Sequence, residues 1–237
     1  MMRLFVKDKV MDVNPEDFLT IHELEKLKNK MTNINIKDRK SVKILFIDDG
    51  GFDIEPLKQL GYIDIDVELE FKNMNQIDPY DIIFCDINDV AKNIYPIGQG
   101  AQLANDIKLT HPEKFVIIFS AQNQKPSFHK YYEKVDAVID KTADLYVFQE
   151  VINKYIAIQN DPIAYWEQLE KEMIHQKLNK IYISKLEHYF VLSFLDKKNY
   201  ISLLSNKQFG QYFDRFVSFI QLLGTAIDLY LKFIGGK

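Results

Sequence analysis

The middle of the chain, residues 41–160, is predicted to form a doubly wound α/β domain, and three features of the sequence indicate this fold. Short apolar runs alternate with amphipathic segments, which is typical of a parallel sheet flanked by helices. Four of the runs are apolar on consecutive residues, as in strands buried on both faces. A fifth run alternates apolar and polar residues, as in an edge strand. Together these five strands predict a flavodoxin-like parallel sheet with the order 2-1-3-4-5.

Each element of this domain is predicted from its own stretch of sequence. The buried strands are predicted from the apolar runs at 42–47, 82–85, 115–119 and 137–139. The edge strand is predicted at 66–72, where Val67, Leu69 and Phe71 alternate with polar residues. The order 2-1-3-4-5 places this second strand at an edge, as its alternation requires. Helices are predicted between the strands at 54–60, 99–110, 126–134 and 144–159.

Two further segments flank this domain. Residues 1–40 are predicted to be an extension with an amphipathic helix that begins at Asn14-Pro15, because proline suits the first helical position. Apolar residues follow at helical spacing, namely Phe18, Ile21, Leu24, Leu27 and Met31. Residues 161–237 are predicted to be mainly helical, since the prolines end at Pro162 and no glycine occurs between Gly100 and Gly210.

The helical tail is predicted to contain two long apolar helices. One begins near Pro162 and continues to about residue 195 with a broad apolar face. The other spans 213–234 and has only a narrow polar stripe, formed by Ser218, Gln221, Thr225, Asp228 and Lys232. A helix of this kind is buried in a helical core, in an oligomer interface or in a membrane. Charged residues interrupt the apolar run that a membrane span requires, so we expect this helix to pack on the preceding tail helix, and the tail to form a homo-oligomer or to bind a protein partner.

Composition and charge limit the classes of function. A hydrophobic content of 47% excludes a disordered chain, and the single cysteine, Cys85, excludes an intramolecular disulfide and favours a cytoplasmic location. The net charge of −4 is unevenly distributed, because residues 41–160 hold eleven Lys/Arg against nineteen Asp/Glu while each flank is slightly basic. An acidic centre argues against a nucleic-acid groove, and it raises the question whether some carboxylates are gathered around a cation.

Polar side chains follow the apolar runs of the central domain. Asp48-Asp49 follows the first strand, Asp86 the third, Ser120 the fourth and Lys141 the fifth. Because the carboxyl ends of parallel strands meet at one edge of the sheet, three carboxylates are expected to converge there and to require a cation such as Mg²⁺. The lysine and the serine would then complete a site for an anionic tetrahedral group. Taken singly, each residue is better explained as a turn former, a cap or a surface lysine, whereas their joint placement favours an acidic metal pocket.

With these residues in place, 41–160 resembles the receiver domain of bacterial two-component response regulators. The resemblance implies that Asp86 accepts a phosphoryl group from a histidine kinase or phosphotransfer protein. It implies that Asp49, Asp86 and the backbone carbonyl of Asn88 bind Mg²⁺, that Asp48 acts through water, and that Lys141 and Ser120 stabilise the phosphoryl group. Asn88 and Gln122 occupy the positions that tune phosphoryl lifetime in that family. It implies no enzymatic activity beyond self-phosphorylation and autodephosphorylation.

Three departures from the family pattern leave an alternative open. Val138 stands where many receivers have a switch tyrosine or phenylalanine, and Thr142 stands where proline usually follows the lysine. A loop longer than the usual one follows Asp86. The alternative is therefore a pseudo-receiver, a protein-interaction module that keeps the fold without accepting phosphate. A Mg²⁺-dependent phosphohydrolase is disfavoured, since no second acid stands two residues after Asp49 or Asp86.

Overall fold

A five-stranded parallel sheet forms the centre of one of the two units into which the computed structural model of the chain divides. The structure describes residues 14–28, 36–121 and 128–235. The first unit, here called the sheet unit, comprises the described part of Lys37–Ile158. The second, here called the helical unit, combines the described parts of Met1–Ile36 and Gln159–Lys237.

The sheet has the predicted topology. Its strands are β1 (Lys43–Ile47), β2 (Asp64–Glu68), β3 (Ile82–Asp86), β4 (Phe115–Ser120) and β5 (Ala137–Asp140). They pair in parallel in the order β2-β1-β3-β4-β5, which confirms the doubly wound arrangement. The described helices are α1 (His22–Glu25), α2 (Glu55–Gln59), α3 (Gln99–Thr110), α4 (His129–Tyr132), α5 (Leu145–Asn160), α6 (Pro162–His175), α7 (Lys180–Asp196), α8 (Asn206–Phe209) and α9 (Phe213–Gly235).

The central strands β1, β3 and β4 are buried apart from Lys43, which explains their continuous apolar runs, whereas β5, predicted to be buried on both faces, is half-buried because it lies at the second edge of the sheet. Alternate residues of a strand point to opposite faces, so Leu45 and Ile83 pack on one side with α3, whereas Phe46 and Phe84 pack on the other side with α2 and α5. Strands β3 and β4 are buried at every position. This double burial holds the carboxyl ends of β1, β3, β4 and β5 at one rigid edge.

The second strand lies earlier in the sequence than the predicted 66–72. It pairs with β1 from Asp64 to Glu68, and its side chains alternate in exposure as expected of an edge strand. The pairing stops at Glu68, whose carbonyl accepts a hydrogen bond from Asp48 N at 3.0 Å, because β1 ends at Ile47. Beyond this point no partner strand continues, and Leu69 is 60% exposed.

The N-terminal helix predicted from Pro15 is not continuous. Pro15–Asp17 forms a 3-10 turn, Phe18 is extended, and α1 begins only at His22. The helix is interrupted because the backbone N–H groups of Leu19 and Ile21 are bound by side chains of α7 instead of by helical carbonyls. Met31 lies outside the described residues.

The tail helix predicted from Pro162 to about residue 195 is two helices, α6 and α7. The break is at Lys177, whose φ of 56° is left-handed. Leu178 N returns to the carbonyl of Met173 at 3.0 Å, and the side chain of Asn179 caps α7 by accepting a hydrogen bond from Ile181 N. Cap and turn signals thus outweigh the continuous apolar pattern across this junction.

The last helix, α9, is a core helix of the helical unit. Phe216, Leu223 and Ile227 are fully buried, and Tyr230 donates a hydrogen bond from its hydroxyl to the carbonyl of Gln159 at 2.9 Å. The predicted polar stripe is the exposed face of the helix. By length and composition Gly210–Ile234 also passes as a membrane span, a test that core helices of this type meet as well.

Candidate functional site

The carboxyl edge of the sheet brings together most of the residues that the sequence singled out. Asp48 follows β1 and is fully buried, Asp86 ends β3 and is 6% exposed, and Ser120 ends β4 and is 8% exposed. Lys141 follows β5 and is half-buried. Each side chain is placed here by the strand that precedes it, because the four strands end at the same level of the sheet.

Lys141 links the two buried carboxylates. Its Nζ lies 2.7 Å from Asp48 Oδ2 and 2.9 Å from Asp86 Oδ2. The contact with Asp86 is an aligned hydrogen bond, whereas the contact with Asp48 is a close ion pair without hydrogen-bond alignment at Oδ2. The other oxygens bind backbone donors, Asp48 Oδ1 accepting from Gly50 N at 3.0 Å and Asp86 Oδ1 from Ile87 N at 2.6 Å. One ammonium thus contacts two desolvated carboxylates and neutralises half of their charge.

The pKa of Lys141 reflects its contacts with the two acids. Burial lowers the pKa, but the close contacts with Asp48 and Asp86 and their negative charges outweigh burial and raise the pKa above its ordinary value. Lys141 therefore carries its charge throughout the physiological range. A permanent cation at this position is suited to stabilising an anion.

Three acids lie close enough to share a metal ion. Asp48, Asp49 and Asp86 each offer a carboxylate oxygen within 4.8 Å of the others, and Asp49 is the exposed member of the group. An all-oxygen donor set suits Mg²⁺, and an exposed member leaves room for the waters that Mg²⁺ usually retains. Asn88 lies two residues beyond Asp86 and is half-buried. Its predicted role as a carbonyl ligand stays a prediction.

Ser120 is tied to the lysine through the backbone. Lys141 N donates a hydrogen bond to the carbonyl of Ser120 at 3.1 Å, which extends the β4–β5 pairing by one residue beyond Asp140. The hydroxyl and the ammonium are therefore carried by directly paired backbone segments. Gln122 lies outside the described residues.

The loop after β3 is held close beneath Asp86 by a glycine. Gly100 N donates to the carbonyl of Ile87 at 3.1 Å, and a Cβ added to Gly100 would collide with the carbonyl oxygen of Asp86. Asp89 and Ala91 in this loop, and Gln99 at the start of α3, have positive φ angles. The role of Gly100 at the site was not predicted, because this close approach depends on how α3 packs on β3.

A cluster of phenylalanine side chains lies beside the acids and was not predicted. Phe46 stacks on Phe52 and Phe84 with ring centroids 4.4 Å apart, and Phe119 meets all three edge-on. Lys141 Nζ lies 5.5 Å from the centre of the Phe119 ring. The lysine is thus held by an aromatic face as well as by the acids. The continuous apolar runs of β1, β3 and β4 predicted the burial of Phe46, Phe84 and Phe119 but not the contacts between the rings.

No protein-family model matches this sequence, and no curated protein is significantly similar to it. Solved structures similar to about half of the chain include a CheY-like response regulator receiver domain protein from Methanospirillum hungatei, with 18% identity and a TM-score of 0.37 over 49% of this chain and 94% of that one. The response regulator TrrA from Thermotoga maritima, solved with Mg²⁺ and a beryllium fluoride, has 19% identity and a TM-score of 0.38 over 48% of this chain and 98% of that one.

A third similar structure is the receiver domain of RstA from Klebsiella pneumoniae, with 17% identity and a TM-score of 0.35 over 48% of this chain and 97% of that one. The sheet unit itself has the five-stranded parallel order of the CheY-like fold. The half of the chain that finds solved counterparts is thus similar to response regulator receiver domains, and the other half is not identified.

Proposed function

We propose that this chain is a cytoplasmic phosphorylation switch of the response-regulator type, in which Asp86 accepts a phosphoryl group from a histidine kinase or phosphotransfer protein with Mg²⁺. The observation that carries the proposal is the contact of one lysine with two buried carboxylates at the carboxyl edge of the sheet, at 2.7 and 2.9 Å. A lysine poised beside a buried acid is the arrangement that transfer of a phosphoryl anion to that acid requires.

In the proposed transfer a carboxylate oxygen of Asp86 attacks the donor phosphorus. A P–O bond to Asp86 forms as the P–N bond to the donor histidine breaks, and the histidine nitrogen leaves with the bonding electron pair. The product is an acyl phosphate on Asp86. Asp86 is 6% exposed, so its carboxylate is only lightly hydrated and keeps a fixed direction of attack.

Lys141 and Ser120 stabilise the negative charge of the transferred phosphoryl group. Lys141 exchanges its bond to Asp86 Oδ2 for one to a phosphoryl oxygen, so its charge is never left unpaired. The Ser120 hydroxyl, carried by the neighbouring strand, donates to a second oxygen. Asp49 and Asp86, with Asp48 acting through water and the Asn88 carbonyl as a further ligand, would hold a Mg²⁺ that supplies additional charge neutralisation.

The output is proposed to pass through the helical unit to a protein partner or a second copy of the chain, and not to nucleic acid. Val138, at the position of the usual aromatic switch, is a half-buried aliphatic side chain without a rotating ring. The lysines of α6 and α7 are interspersed with acids, which is unlike a DNA-reading surface.

Labelling with a small phosphodonor tests the proposal. The intact protein incubated with acetyl phosphate and Mg²⁺ is expected to gain the mass of one phosphoryl group. This gain should be absent when EDTA removes the metal ion, and absent in the Asp86→Asn variant. Asp89→Asn is the matched control, since Asp89 is an exposed acid in the same loop. Equal labelling of Asp86→Asn and the natural protein would reject Asp86 as the acceptor.

The pseudo-receiver alternative is favoured by the same lysine. Because Lys141 already pairs with Asp48 and Asp86, part of the negative charge of the pocket is neutralised without a metal ion. A protein that gains no phosphoryl mass yet binds its partner unchanged in EDTA would support this alternative.

A further inference from the structure

The N-terminal segment, residues 14–28, is bound to α7 by two neighbouring titratable side chains. Leu19 N donates to His188 Nδ1 at 3.0 Å, and Ile21 N donates to Glu187 Oε1 at 2.7 Å. The Phe18 ring lies on the His188 ring at a centroid distance of 5.6 Å. These contacts hold in the extended stretch between the 3-10 turn and α1, where no helical carbonyl accepts from the two N–H groups.

The same segment closes part of the helical core. Leu24 is fully buried and Ile21 is 8% exposed, and both pack in the cluster that contains Trp166 and Phe190. Burial of these two aliphatic side chains favours the docked state. The hydrogen bonds to α7 therefore adjust a docking equilibrium that apolar burial favours.

The geometry fixes the protonation state of His188. A backbone N–H can only donate, so Nδ1 must be the unprotonated nitrogen and the ring proton must lie on Nε2. A protonated imidazole has donors on both nitrogens and cannot accept from Leu19. It would also place an unpaired positive charge at a position that is 6% exposed.

We propose that the N-terminal segment is a pH-sensitive strap, docked on α7 while His188 is neutral and loosened when His188 takes up a proton. Protonation breaks the bond from Leu19 N and leaves Phe18 against a charged ring. Loosening would uncover Leu24 and the apolar surface beneath it, which would then be open to a protein partner.

The sign of the pH dependence follows from burial. Burial, followed by the positive charge of Lys185, lowers the pKa of His188 in the docked state below the ordinary value of 6.5. The undocked ring binds more protons than the docked ring in the range between the two values, so docking is complete above about pH 6.5 and weakens as the pH falls below it. Each unit between the docked and undocked pKa values is about tenfold in the docking equilibrium.

Glu187 works in the opposite direction. Burial raises the pKa of Glu187, helped by Glu170 on α6, while the bond from Ile21 N and the charge of His22 lower it. A raised carboxyl pKa means that uptake of a proton on acidification favours the docked state, and a protonated carboxyl still accepts at its carbonyl oxygen. The remaining charged residues on the elements that pack on α7 are Glu16, Asp17, Glu23, Glu25, Glu167, Lys171, Glu172, Asp214, Arg215, Asp228 and Lys232.

Hydrogen exchange of the full-length protein tests the strap. The peptide covering 14–28 is compared at about pH 5.5 and about pH 7.5, on the two sides of the ordinary histidine range, with rates corrected for intrinsic exchange. We expect protection of Leu19 and Ile21 to fall by up to about tenfold at the lower pH, which is one unit below the ordinary histidine pKa, while α9 keeps its protection. Unchanged protection of the segment at pH 5.5 would overturn the proposal.

Three variants assign the effect to a side chain. His188→Gln keeps an acceptor that does not titrate and is expected to abolish the pH dependence. Glu187→Gln should retain the pH dependence, and His175→Gln, which changes an exposed histidine of α6, should behave like the natural protein. Loss of the pH dependence in Glu187→Gln, or its persistence in a folded His188→Gln, would reject His188 as the switch.

A titration of the natural protein keeps the test decisive if His188→Gln does not fold. The imidazole of His188 followed by NMR should protonate below pH 6.5 in step with the loss of protection in 14–28. Protonation that leaves the exchange of Leu19 unchanged would overturn the proposal.

Discussion

Replacing Lys141 by methionine should destabilise the sheet unit in the absence of metal and make Mg²⁺ a stabiliser of it. The substitution keeps most of the apolar stem but removes the ammonium that lies 2.7 Å from Asp48 and 2.9 Å from Asp86. Removing one partner of a buried ion pair costs about 3–5 kcal/mol. The Lys141 side chain is 23% exposed, so water reaches the gap and we expect a loss near the lower limit, about 3 kcal/mol.

The sheet unit must be followed separately, because the only tryptophan, Trp166, lies in the helical unit. Urea-dependent hydrogen exchange of β1 and β3 amides in EDTA gives its free energy of unfolding. Millimolar Mg²⁺ should then stabilise Lys141→Met more than the natural protein, since the metal no longer competes with the ammonium. A ligand at ten times its dissociation constant contributes about 1.4 kcal/mol.

The control for this experiment is Lys154→Met, which changes an exposed lysine of α5 in the same unit. It should leave the unfolding free energy within about 0.5 kcal/mol. The reasoning fails if Lys141→Met is as stable as the natural protein in EDTA, or if Mg²⁺ stabilises both proteins equally.

Two further predictions follow from backbone geometry. Gly100→Ala should cost about 1–3 kcal/mol in the sheet unit and slow phosphoryl labelling, because the new Cβ collides with the Asp86 carbonyl, whereas Gly50→Ala, with no contact closer than 3.6 Å, should do neither. Equal labelling rates of Gly100→Ala and Gly50→Ala would contradict this prediction. Lys177→Gly should stabilise the helical unit by about 0.5–1 kcal/mol, since φ is 56° there, and Lys180→Gly should destabilise it. Urea unfolding followed by Trp166 fluorescence measures the stability of the Lys177→Gly and Lys180→Gly variants. Destabilisation by Lys177→Gly would refute the argument that the backbone is strained at this residue.

The strand order was predictable because the pattern of apolar residues in a strand indicates whether the strand is central or at an edge. Continuous apolar runs identify β1, β3 and β4 as covered strands and alternation identifies β2 as an edge, whereas the apolar run of β5 wrongly predicted burial on both faces of a strand that lies at the other edge. The position of β2 was less predictable. The alternation of apolar and polar residues continues to Phe71, whereas the pairing of β2 ends at Glu68 because its partner β1 ends at Ile47. The length of a paired strand depends on where the neighbouring strand ends, and the residues of one strand do not show this.

The candidate site shows the same division. That Asp48, Asp86, Ser120 and Lys141 lie at one edge follows from parallel strands of similar length. That one ammonium contacts both buried acids depends on the depth at which each side chain is buried, which no local pattern gives. The breaks at Leu19 and Lys177 were missed because distant acceptors and a left-handed residue overrode continuous helical patterns.

The pairing of Lys141 with the buried acids also determines how an anion meets this site. Three carboxylates and one ammonium leave a formal charge of −2, which would repel a phosphoryl group before contact. One divalent cation brings the sum to zero. The pocket then neither attracts nor repels an anion at long range, so recognition would depend on short-range fit within the pocket, and a free phosphate would gain little from it unless the donor also docks elsewhere on the protein.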